Sequence, residues 1–173
     1  MTNQENQIQL PVDKINSILN LYSNGKITEA IKAIKLLNND YPNVPFLFNL
    51  PGACYESQGN LDASIQMFRT AVSIKPDDAE AHFNLGVILK NLGQFSDSVI
   101  SYKHAISYEP KYFDAMNNLG NVLFEMELYD QSIKSYYDAI SVKPDFADAS
   151  YNLARVLYTV GRLEDAEKYY RKA

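Results

Sequence analysis

Four prolines, Pro42, Pro76, Pro110 and Pro144, stand 34 residues apart. A fixed period in the range of about 20–50 residues means a stack of similar supersecondary units, because each unit buries its apolar face only against its neighbours. Further columns keep the same phase. With units starting at residues 11, 45, 79, 113 and 147, position 24 is large: Ile34, Phe68, Tyr102, Tyr136 and Tyr170. Position 20 is small: Ala30, Ser64, Ser98, Ser132 and Ala166. Position 8 reads Ile18, Gly52, Gly86, Gly120 and Ala154, and position 27 reads Leu37, Ala71, Ala105, Ala139 and Ala173.

Within a unit, two stretches carry apolar residues at helical spacing. In the third unit these are Phe83, Leu85, Ile88 and Leu89, then Phe95, Val99, Tyr102 and Ile106. Small residues at positions 8 and 20 let the paired helices approach closely, and the large residue at position 24 fills the gap beneath the next pair. Gly25, Gly59, Gly93 and Gly161 fall where the first helix must stop, where glycine takes a left-handed cap conformation cheaply. The proline ends the second helix. The spacing predicts first helices over 12–24, 46–57, 79–91, 113–126 and 147–159, and second helices over 27–39, 61–74, 95–108, 129–142 and 163–173. The organisation expected is a flexible terminus, 1–10, followed by one domain, 11–173, of units 11–44, 45–78, 79–112, 113–146 and 147–173.

The run Asn84-Leu85-Gly86, Ser98, Tyr102, Ala105, Pro110, with close copies in the flanking units, resembles the tetratricopeptide repeat (TPR) family. The resemblance covers nearly all of the chain after residue 10. It implies an all-α, right-handed solenoid of antiparallel helix pairs, with the first helices lining a concave surface. The first unit departs from the pattern, with Ser17 and Ile18 in place of Leu-Gly, which suits a capping unit. Pro51 replaces the leucine of the second unit and is expected to kink or delay that helix near Asn49 to Gly52. Glu127 takes the loop-glycine place of the fourth unit, where ordinary backbone geometry and a slightly different turn are expected. The last unit stops at Ala173 inside its second helix; the natural protein is expected to continue, and the open end is a possible self-association surface.

Composition narrows the function classes. A net charge of -5 argues against nucleic acid as partner, since phosphate binding needs clustered Lys and Arg. No apolar run approaches the ~18 residues of a membrane span. The single cysteine, Cys54, excludes an internal disulfide and is read as a packed thiol. With no secretory signal in the Asn/Gln-rich start, a cytoplasmic location is expected. No Gly-rich phosphate loop, Ser–His–Asp set or metal-spaced cluster is present in the sequence. His82 is expected to fill a packing slot and His104 to lie on the outer face. The expectation is a scaffold, not an enzyme, with no cofactor and no metal.

Helical spacing joins positions 2, 5, 6, 9, 12 and 13 of the first helices into one face. Position 6 is Asn84, Asn118 and Asn152, and position 2 is Glu80, Asp114 and Asp148. Stacked, these columns form a carboxamide ladder beside a carboxylate ladder. A carboxamide both donates and accepts, so a regular row of them can hold an extended peptide backbone without reading its sequence. The same face carries Phe83, Val87, Lys90, Asn117, Asn121, Phe124, Tyr151, Arg155 and Tyr158; Phe83, Phe124, Tyr151 and Tyr158 are candidate apolar anchors. The alternative role for the asparagines is bonding between neighbouring helices.

The Asn-Leu-Gly or Asn-Leu-Ala run with an acid four residues earlier is similar to the TPR arrays of O-linked N-acetylglucosamine transferases. That resemblance implies groove contacts to extended peptide by Asn84, Asn118, Asn152, Glu80, Asp114 and Asp148. It fails in the second unit, where Asn49 comes one position early and Leu50 takes the ladder place. The expected function is a protein- or peptide-binding scaffold whose groove, including Asn121, Phe83, Phe124, Tyr151 and Arg155, holds an extended segment. The alternative is the N-terminal substrate-recognition arm of a larger enzyme, such as a glycosyltransferase, sulfotransferase or oxygenase.

Overall fold

The computed structural model describes residues 10–173. Among the described residues there are ten α-helices and no strand. They are α1 (Val12–Ser23), α2 (Ile27–Asp40), α3 (Phe46–Ser57), α4 (Leu61–Ile74), α5 (Ala79–Asn91), α6 (Phe95–Tyr108), α7 (Phe113–Glu125), α8 (Tyr129–Val142), α9 (Ala147–Thr159) and α10 (Leu163–Tyr170). Nine of the ten agree with the periodicity to within a residue at each end. The tenth stops at Tyr170, short of the expected 173, and its last residues continue as a turn. Of the stretch read as a flexible terminus, all but Leu10 lies outside the described residues. Leu10 itself is 8% exposed and packs with Ile18, Ile34 and Leu47.

The chain divides into two compact units between Pro76 and Asp77. In the first, α1 packs on α2, α2 on α3 and α3 on α4. In the second, α5 to α10 pack in order, and the first helices also meet one another, α5 with α7 and α7 with α9. Its core includes two clusters. Tyr102, Ala105, Leu119, Val122 and Leu123 form one, and Tyr136, Ala139, Leu153, Val156 and Leu157 form the next. Tyr102 and Tyr136 therefore each pack into the first helix of the following pair, as their place in the repeat predicts.

The position-8 and position-20 columns are joined to that tyrosine by contact. A methyl group added at Gly86 would lie 2.8 Å from the Tyr102 ring, and one at Gly120 would lie 2.6 Å from Tyr136; Gly52 stands 2.8 Å from Phe68 in the same way. Beside each glycine a buried serine donates to its carbonyl: Ser64 Oγ to Gly52 at 2.8 Å, Ser98 to Gly86 at 2.7 Å and Ser132 to Gly120 at 2.8 Å. Leaving out the side chain lets the aromatic ring seat directly on the helix backbone and opens the carbonyl to the hydroxyl. The first unit uses a different set, Ile18, Ala30 and Ile34, all buried, with no hydroxyl to place.

Two expectations need correction. Glu127 does not adopt ordinary geometry. Its φ is +58°, and its turn closes like the others, with Glu127 N–H on Phe124 O and Leu128 N–H on Leu123 O, both at 2.9 Å. Gly93, at φ +72°, has the same pair, Gly93 N–H on Lys90 O and Gln94 N–H on Leu89 O, both also at 2.9 Å. The angle at which the second helix must leave is set by packing, and those contacts outweigh the steric preference of one exposed residue. Pro51 does not delay its helix. α3 begins at Phe46 and runs through Pro51, which is buried. The proline lacks the N–H that would reach the Leu47 carbonyl, so the helix loses one bond while its burial is kept.

Candidate functional site

The face predicted from positions 2 to 13 lies on α5, α7 and α9, all in the second compact unit. At position 6, Asn84, Asn118 and Asn152 are all half-buried. Two of them are partly engaged. Asn152 Nδ2 donates to Asn117 Oδ1 at 3.1 Å, across one whole repeat, and Asn118 Oδ1 receives a long contact of 3.5 Å from Asn121 Nδ2. Asn121 in turn accepts from the Tyr136 hydroxyl at 2.8 Å. Asn84 makes no side-chain hydrogen bond among the described residues. Each engaged asparagine uses one end of its amide, so Asn152 keeps its carbonyl and Asn118 its amino group for a ligand.

Tyr136 thus reaches the face from beneath. Periodicity assigns Tyr136 to packing, and the ring is buried; its hydroxyl continues to Asn121 and fixes that carboxamide. The signal in the sequence is tyrosine in place of the phenylalanine of the second unit, since a buried phenol needs an acceptor. Burial pushes the Tyr136 phenol up to about 12, outweighing the opposite pulls of the Ser132 hydrogen bond and the Arg155 charge.

The carboxylates Glu80 and Asp148 are exposed and Asp114 is half-buried. Each stands in the first turn of its helix. Acids also occupy the first turns of second helices, with Asp97 in α6 and Asp130 in α8. A negative charge there complements the helix dipole, so the column has a local reason that requires no ligand. Its field is still concentrated at one place. Tyr112, missed by the periodicity, has its phenol pushed up to about 12, first by burial and then by Glu80, Glu109, Asp114 and Asp78.

Among the aromatics, Phe83 is half-buried, stacked on Tyr112 at 4.9 Å and tilted against Tyr102 at 5.9 Å, so it belongs to the packing between units. Phe124 is half-buried, against Tyr129, with the Arg155 guanidinium over it at 5.1 Å. Tyr151 and Tyr158 are exposed at 51% and 64% and offer the largest accessible rings on the face. Tyr151 meets Tyr170 edge to face at 5.7 Å.

Elsewhere, His82 is buried, with its ring 5.0 Å from that of the exposed His104 and stacked on Tyr108. Among the described residues no group of three or more His, Cys, Asp or Glu side chains could hold a metal ion, and no helix is long and apolar enough to cross a membrane. Cys54 is buried, and burial raises its thiol, which keeps it protonated and inert.

Family models described as TPR repeat and tetratricopeptide repeat match residues 52–93, 79–112 and 117–173. No curated protein matches the chain by sequence. Solved structures match over most of its length. One of MamA has a TM-score of 0.85 at 25% identity, covering 95% of this chain and 94% of that one. YrrB, described as a TPR protein with an unusual peptide-binding site, has a TM-score of 0.79 at 19% identity, covering 98% and 86%. PilF of Pseudomonas aeruginosa has a TM-score of 0.83 at 15% identity, covering 92% and 73%. The in-phase columns, the helix pairs and these matches agree: the chain belongs to the tetratricopeptide repeat family, an all-α solenoid that acts as a protein-interaction scaffold.

Proposed function

We propose that the face of α5, α7 and α9 holds an extended segment of a partner protein by its backbone. Asn84, Asn118 and Asn152 supply the main-chain hydrogen bonds. Glu80, Asp114 and Asp148 form a negative edge that favours basic side chains on the segment. Tyr151 and Arg155 give exposed contacts at one end, while Asn121, Phe83 and Phe124 hold the surface in shape from beneath.

The observation that carries this reading is the recurrence of an accessible, incompletely satisfied carboxamide at one position of three successive first helices. Bonding sites left open on an accessible side chain are free to exchange water for the backbone of a bound segment. The structural likeness to YrrB, whose description names a peptide-binding site, adds support for a peptide as the ligand class. The test is a peptide array probed with the full chain, repeated after Asn84, Asn118 and Asn152 are all changed to Ala. The expected result is loss of bound peptides in a variant that keeps its helical spectrum. Unchanged binding by the folded variant removes the carboxamides from the mechanism.

A further inference from the structure

On the opposite side of the second compact unit, away from the asparagine face, the gap between the second helices α6 and α8 is open. It forms a cleft of about 240 Å³ lined by Ile106 of α6, by Met116, Leu119 and Leu123 of α7, and by Ser135 of α8. Lys103, Lys134, Gln131 and Asp138 stand around it. The volume lies below the ~300–1,000 Å³ of pockets for drug-sized ligands, and suits one large side chain.

The repeat shows why the cleft exists. One period on, Lys103 becomes Tyr137 and Ser135 becomes Tyr169. Those two rings meet edge to face at 5.7 Å and pack over the cluster of Ile140, Leu153 and Leu157, the counterparts of Ile106, Leu119 and Leu123. Under that plug Leu153 and Leu157 are fully buried, whereas Leu119 remains 7% exposed and Ile106 half-buried. The fold therefore supplies its own example of what fills such a gap: a tyrosine ring over aliphatic side chains.

The rim adds a charge preference. Lys134 is held by Asp138 at 2.6 Å, while Lys103 makes no ion pair among the described residues. In a chain of net charge -5, this is a local excess of positive charge beside an apolar floor. We infer that the cleft takes an aromatic side chain of a partner protein that carries a carboxylate beside that residue, the ring replacing the missing plug and the carboxylate pairing with Lys103. This site is separate from the asparagine face and does not depend on it.

The probe is the capped dipeptide N-acetyl-Phe-Glu-amide, titrated into the full chain and followed by methyl and amide resonances. Saturable shifts are expected at Ile106, Met116, Leu119, Leu123 and Ser135. The charge-swapped N-acetyl-Phe-Lys-amide should bind roughly two- to fivefold more weakly, as expected for gain or loss of one exposed ion pair. The double variant Lys103→Tyr, Ser135→Tyr copies the plug already tolerated one repeat on, and should abolish the shifts while keeping the melting temperature. Lys103→Glu should reverse the preference between the two dipeptides. Absence of saturable shifts, shifts centred on Asn84, Asn118 and Asn152, or shifts that persist in the plugged variant would each overturn the proposal. Equal binding of the two dipeptides would remove the carboxylate from it.

Discussion

Glu127 offers the sharpest energetic test of how the turns are built. It holds φ at +58°, while the four other first-to-second-helix turns have glycine at +72°, +73°, +72° and +81°. A non-glycine residue in the left-handed region costs about 1–2 kcal/mol, from crowding of Cβ against the carbonyl that follows. Nothing lies within 4 Å of a Cβ placed at Gly59 or Gly93, so at such a turn the backbone cost stands alone, with no packing gain to offset it. Replacing Glu127 with Gly removes that cost and gives back about 0.4–1 kcal/mol, because glycine loses more freedom on folding. The net expected gain is about 0.5–1 kcal/mol. At roughly 2–4 °C per kcal/mol for a chain of this size, melting followed by circular dichroism should move up by about 1–4 °C. The reverse exchange, Gly93→Glu, should lower it by a similar amount, since the two turns carry the same pair of hydrogen bonds. If Glu127→Gly leaves stability unchanged or lowers it, the claim that packing imposes this conformation against residue preference fails.

Other outcomes follow from the same contacts. Gly120→Ala forces a methyl to 2.6 Å from the Tyr136 ring and should cost about 1–3 kcal/mol in urea unfolding, as overpacking does. Ser98→Ala removes a buried hydroxyl bond of 2.7 Å and should cost about 1 kcal/mol, measured the same way. Asn152→Ala strands the carbonyl of Asn117, a residue 7% exposed, and should cost about 1–2 kcal/mol, whereas Asn84→Ala should be near neutral. Tyr112 and Tyr136 are both raised from 10.0 to about 12, so the fold prefers their neutral form. Their contribution to stability is whole below pH 10 and is lost as pH rises toward 12, which alkaline unfolding with ultraviolet detection of phenolate can follow.

Most of the fold was legible because it rests on short-range pattern. Helix ends coincide with glycines, prolines and a 34-residue phase, and the packing tyrosines announce themselves by size. The geometry at Glu127 and the late helix start at Pro51 were misread for one reason. Local preference favoured a departure at each, and tertiary packing overrode it. The candidate face was readable as a column of residue types. How its carboxamides share their bonds was not, because the Asn152–Asn117 pair depends on how far one first helix is offset from the next. Phe83 shows the same gap: helical spacing puts it on the face, and its stacking on Tyr112 draws it into the packing.

The bond from the position-20 serine to the position-8 glycine, under the position-24 ring, makes each of the three middle helix pairs a matched lock. A first helix with glycine expects a partner with serine and an aromatic ring, as α3 expects α4. The first unit's Ile18 instead packs with Ile34, and Ala30 takes the serine's place. Recombining such arrays helix by helix would therefore join misfitting halves: α2 behind α5 would leave a void over Gly86, and α6 behind α1 would drive Tyr102 into Ile18. The natural unit of exchange is the helix pair, cut at the prolines, where the lock is kept whole.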